Sequence, residues 1–118
     1  MIEPKLIAVL HAIAGAANVY PDVALPGAQA PWITYQQIGG KSPTSLDQKL
    51  IDKRNGVFQI SVWAKTRPEA TRIALQIEDA LSLSALQVIP MGAMRSDYEL
   101  DTKLFGSRQD FSIWDDRL

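Results

Sequence analysis

The sequence predicts an α+β protein with elements in the order α-β-β-α-β-β. This is a four-stranded antiparallel or mixed sheet with two helices packed on one face. Three observations predict it. Residues 55–81 alternate as a strand and then switch to helical spacing, which defines a β–α unit. An apolar stripe at helical spacing runs from Leu6 to Ala17. Two further stretches rich in β-branched and aromatic residues, Trp32–Ile38 and Leu104–Trp114, supply strands on either side of that unit. Strands interleaved with only two helices give a sheet covered on one side rather than a doubly wound one.

The first helix begins near Pro4, because proline is tolerated in a first turn. Leu6, Val9, Leu10, Ile13 and Ala17 form its buried stripe, and Tyr20-Pro21 closes it. Pro26, Gly27 and Pro31 make the following segment a loop. In the strand Trp32–Ile38, Ile33, Tyr35 and Gln37 alternate with Trp32, Thr34, Gln36 and Ile38, and either set could face the core. A long polar loop follows at about residues 39–54. It opens on Gly39-Gly40 and carries Lys41, Lys49, Lys53 and Arg54 against Asp47 and Asp52. Loops of that length in a compact domain are usually functional or disordered.

The strand Val57–Lys65 places Phe58, Ile60, Val62 and Ala64 on one face and Gln59, Ser61 and Trp63 on the other. Thr66 and Glu69 form a capping-box pattern at the start of the second helix, and Pro68 fits its first turn. Ala70, Ile73, Ala74, Ile77, Ala80 and Leu81 form that helix's apolar face. The third strand begins at Leu86–Ile89, is interrupted by Pro90 and Gly92, and resumes near Ala93–Leu100. That interruption marks a bulge or an edge. The Leu100–Leu104 spacing suits a hairpin into the last strand, which has Phe105, Phe111 and Ile113 on one face and Trp114 on the other.

The 118 residues read as a single domain, 1–118, with ordinary apolar and charged content and a net charge of −1. The near-neutral balance does not favour a nucleic-acid binder. With no cysteine, the chain has no disulfide, zinc–thiolate site, iron–sulfur cluster or cysteine nucleophile. Leu6–Ala17 is interrupted by His11 and Gly15 and is shorter than the roughly 20 apolar residues of a membrane span. Glu3 and a single lysine precede it, so it lacks the basic start of a secretion signal.

The residues offer no recognisable catalytic, cofactor or metal set. His11 stands alone on a helix with no partner for general-base work. Asp97, Glu99 and Asp101 share one face of a strand, but the ligand set for a hard cation is incomplete. They read as a charged edge that discourages strand addition. Asp115 and Asp116 point to opposite faces and form no acid/base pair. Gly39-Gly40-Lys41-Ser42 has the composition of a phosphate loop, but the motif's first glycine would fall at Tyr35. Trp63 and Trp114 lie opposite the core-facing residues of their strands. Either they face a partner or helices cover that side too.

The run PWITYQQIGG, a polar loop, VFQISVWAKTRPEATRIALQIEDAL and then SDYELDTKLFGSRQDFSIW resembles the small tail-completion proteins of long-tailed phages and prophages, also called tail-terminator or head–tail joining proteins. Pro31, Tyr35, Gln59, Ile60, Val62, Trp63, Tyr98, Phe111, Ile113 and Trp114 carry the resemblance. It implies a structural virion protein without catalysis. The protein would be made in the bacterial host cytoplasm and would cap the head-proximal end of the tail tube as a ring, typically a hexamer. The implied partners are further copies of the chain, the tail-tube protein and the head–tail connector, with no sequence-specific nucleic acid and no membrane. The interface residues expected are Lys41, Lys49, Lys53, Arg54, Trp63 and Trp114, with the loop ordered by its neighbour in the ring. The competing readings are a small cytosolic adaptor and another neck or connector component.

Overall fold

The computed structural model describes residues 1–42 and 52–117. Its elements in chain order are α1 (Ile2–Ala14), a short 3-10 turn (Ala16–Asn18), β1 (Val19–Pro21), β2 (Trp32–Gly39), β3 (Lys53–Ala64), α2 (Arg67–Ser82), β4 (Gln87–Pro90), β5 (Arg95–Glu99) and β6 (Leu104–Asp116). The sheet order is β1-β2-β3-β6-β4, with β5 also paired to β6. β1 runs parallel to β2 and every other pair is antiparallel, so the sheet is mixed.

The alternation read from β3 sets the core. Phe58, Ile60, Val62 and Ala64 are buried and lie opposite Phe111, Gln109, Ser107 and Phe105 of β6. β2 contributes Ile33 opposite Val62 and Tyr35 opposite Ile60 on the same face. Both helices pack there. α1 buries Ile2, Leu6 and Leu10, spaced four apart, and α2 buries Ala70, Ile73, Ala74, Ile77 and Leu81. The Thr66 hydroxyl caps α2 by accepting the Glu69 N–H at 3.3 Å.

The structure departs from the sequence expectation in four places. The first helix ends at Ala14 rather than Ala17, because Gly15 turns the chain at φ 86°. Leu6 and Leu10 are buried as expected, whereas Ala17 is exposed. An extra strand, β1, stands beside β2; three residues ending in a proline are too few for periodicity to reveal. The expected third strand is two, β4 and β5, pairing with successive halves of β6. The break falls at Pro90 and at Gly92 (φ 93°), and Gln109 Nε2 fills it by donating to the Gly92 carbonyl at 2.9 Å. Finally, β3 begins at Lys53, so Lys53 and Arg54 are strand residues, paired with Asp116 and Asp115 of β6. Cross-strand pairing carries this strand past the point where its apolar alternation fades.

Candidate interaction face

One face of the sheet carries both helices; among the described residues the other carries none. β2 contributes Trp32, Thr34 and Gln36 to the helix-free face. Opposite them on β3 stand Trp63, Ser61 and Gln59. β6 continues the same rungs with Gly106, Arg108 and Asp110. The loop through Asp22–Ala28 walls this surface on the β2 side, and Glu99 and Thr102 wall it on the β6 side. Together they enclose a groove of about 580 Å³, within the usual range of ligand-binding clefts.

The floor is held rigidly. Trp63 lies flat over β6 because its neighbour is Gly106; a Cβ there would stand 2.8 Å from the indole. The Arg108 guanidinium stacks 5.5 Å from the Trp63 ring centroid and pairs with Asp97 at 3.1 Å. Asp22 sits at φ 64° and donates its N–H to the Tyr35 carbonyl at 2.9 Å, which fixes the start of the loop wall. Val23 and Leu25 are exposed on that wall.

Of the six residues expected at interfaces, the five that are described stand at different places on the sheet. Trp63 belongs to the groove. Trp114 is half-buried on the same face but opposite Asn55 at the far end of the sheet, eight positions along β6 from Trp63's neighbour Gly106, or roughly 26 Å. Among the described residues no helix covers either tryptophan. Lys41 is exposed beside that far end, its N–H bonded to Asn55 Oδ1 at 2.8 Å. Lys53 pairs with Asp116 at 2.6 Å. Arg54 forks between Glu3 of α1 and Gln37 of β2. Lys49 lies outside the described residues, as does the centre of the expected loop. A charge reversal at Arg54 would place a carboxylate against Glu3, so it would strike the fold as well as any interface.

The same end of the molecule holds a cluster of paired charges. Asp115 accepts from Lys5 at 2.8 Å and from the Met1 amine at 3.0 Å. These bonds, Lys5 first, hold its carboxyl down at about 2. The bond from Arg54 likewise lowers Glu3, and the bond from Lys53 lowers Asp116. A carboxylate with a depressed folded pKa stabilises the fold above its unfolded value of 3.8, and that contribution is lost as pH falls through about 2. Lys5→Met should therefore flatten the acid limb of the stability curve between about pH 4 and pH 2. Thermal midpoints of parent and variant across that range check this; parallel curves would contradict it.

Asp97, Glu99 and Asp101 do not gather around a cation position. Asp97 is bound to Arg108, and Glu99 accepts from Thr102 Oγ1 at 2.8 Å. Among the described residues no cluster of three or more His, Asp or Glu could hold a metal, and no helix is long and apolar enough to cross a membrane. Sequence reading missed Trp32, Arg108, Asp22 and Glu99 as groove residues. The one available signal was the phase of Trp32 relative to Trp63, which only the strand register resolves.

A helix-backed sheet with a grooved free face defines a small α+β protein whose distinctive surface is suited to contacts. The tail completion protein gp17 family matches the chain over residues 5–116, nearly its whole length. The chain belongs to that family, whose role is structural and tied to the phage tail. No curated protein matches it.

Proposed function

We propose that this protein caps the head-proximal end of the phage tail tube as a closed ring and joins the tail to the head. The observation that carries this reading is the family match over residues 5–116. The shape of the sheet supports it. A ring needs two unlike surfaces that meet head to tail, and the two edges of this sheet differ. On one side β1 covers only Ile33–Tyr35, leaving β2 bare from Gln36 to Gly39 among the described residues. On the other side β4 and β5 are split by Pro90 and Gly92, and β5 is exposed along its length with Arg95, Asp97 and Glu99.

These edges suit different contacts. Met91 donates its N–H inward to the Asp110 carbonyl, so the adjacent Pro90 position faces outward, where it has no N–H to offer. Proline and charge blunt the β4–β5 edge against strand addition and favour side-chain contacts there. The bare half of β2 keeps its backbone groups available for an added strand. Lys41 stands beside this half, next to residues 43–51.

Light scattering across a concentration series, with and without purified tail-tube protein, tests the reading. The expected result is a closed species near six times the 13.0 kDa chain mass, formed alone or on the tube. A chain that stays monomeric and ignores the tube at every concentration would overturn it and favour an adaptor.

A further inference from the structure

We infer that the helix-free groove is a docking site for a basic, extended segment of another protein. This inference goes beyond ring formation and does not depend on it. Its shape suits an extended chain: the floor runs along β2 from Trp32 to Gln36, roughly 13 Å at strand rise, which accommodates four to five extended residues.

Its chemistry selects the occupant's charge. Among the described residues three charged ones line the groove: Asp22, Glu99 and Arg108. Arg108 is neutralised by Asp97 at 3.1 Å and spends its flat face on Trp63. Among the described residues, Asp22 and Glu99 have no ion-pair partner. They stand on opposite walls, one on the loop after β1 and one at the end of β5. The uncompensated charge of the groove is therefore negative on both sides. Between the walls, Trp32 offers an indole with no cation stacked on it among the described residues, a surface that attracts lysine or arginine. Thr34, Ser61, Gln36 and Gln59 offer hydroxyl and amide groups suited to a peptide backbone. Val23 and Leu25, exposed on the rim, fit apolar side chains placed between the cations. The site thus favours a segment that alternates basic and apolar residues.

The test titrates the full-length protein with acetyl-Lys-Leu-Lys-Leu-Lys-amide and follows the three tryptophan indole N–H signals by NMR. The expected result is saturable movement of Trp32 and Trp63, with Trp114 unmoved at the far end of the sheet. The acid counterpart, acetyl-Glu-Leu-Glu-Leu-Glu-amide, should produce no saturable shift. An Asp22→Asn/Glu99→Gln double variant should bind the basic peptide about tenfold more weakly, since it loses two ion pairs. Its unperturbed amide spectrum would verify that the fold is retained. The proposal is overturned by equal binding of the acidic peptide, by unchanged affinity in the double variant, by matching movement of Trp114, or by no shift up to millimolar peptide. Self-association of the parent that disappears in the double variant would give the groove to a second copy and would also overturn it.

Discussion

Replacing Phe58 with alanine should cost about 3–5 kcal/mol of folding stability, the usual loss when a buried phenylalanine is truncated and its cavity cannot collapse. Phe58 is 1% exposed and lies on the middle strand pair, directly opposite Phe111, also 1% exposed. β2 flanks β3 on one side, β6 flanks it on the other, and both helices cover the core face. The neighbouring backbone is therefore held by two ladders and has little freedom to close the void. Domains of this size hold about 5–15 kcal/mol in total, so the variant should be marginal. Urea denaturation measures it. The midpoint should fall with the slope unchanged, because the amount of surface exposed on unfolding is nearly the same. A loss under about 1 kcal/mol would mean that the layer between β3 and α2 repacks freely, contrary to the dense packing of native cores.

The centre of the fold was legible because two strong local signals meet there. Phe58, Ile60, Val62 and Ala64 alternate without interruption, and α2 repeats its apolar residues through Leu81; both patterns survive as buried faces. Pro90 and Gly92 announced the edge by their backbone limits alone. The groove was not legible. Asp22 and Glu99 are far apart in the chain and meet across one surface only through the β2–β3–β6 register. The phase of Trp63 sets it opposite the core-facing residues of its strand but leaves open whether helices cover that side, and its flat seat depends on Gly106, a contact no local pattern encodes. Arg54 looked like a loop cation because the apolar alternation begins after it. Long-range pairing with β6 makes it a strand residue, and Glu3 then claims its charge.

Arg67 shows how much a position read only as the start of a helix can do. It is the first residue of α2, and its guanidinium reaches back to the sheet. Nη1 donates to the Gly106 carbonyl at 2.6 Å and to Ser107 Oγ at 3.3 Å, and Nη2 donates to the Asp97 carbonyl at 2.6 Å. The charged group also lies 5.3 Å from the Phe105 ring centroid, and that ring meets Tyr98 at 5.0 Å. One side chain thus joins the helix, β6 and the exposed β5 strand. Charge-assisted bonds of this kind are worth about 1.5–3 kcal/mol. Part of that is offset here by solvent near Asp97, so Arg67→Ala should cost about 2–3 kcal/mol. Arg67→Lys should restore less than half, because a point charge cannot span two carbonyls on different strands as the planar fork does. The loss should also be local: amides of β5 should exchange faster before those of β3 do, since among the described residues β5 pairs with β6 alone. Glu99 rides on β5, so loosening that strand should also weaken binding of the basic peptide without touching the groove floor. Uniform exchange across the sheet, or full rescue by lysine, would show that Arg67 acts as a general surface charge and that β5 is held in place by its ladder alone.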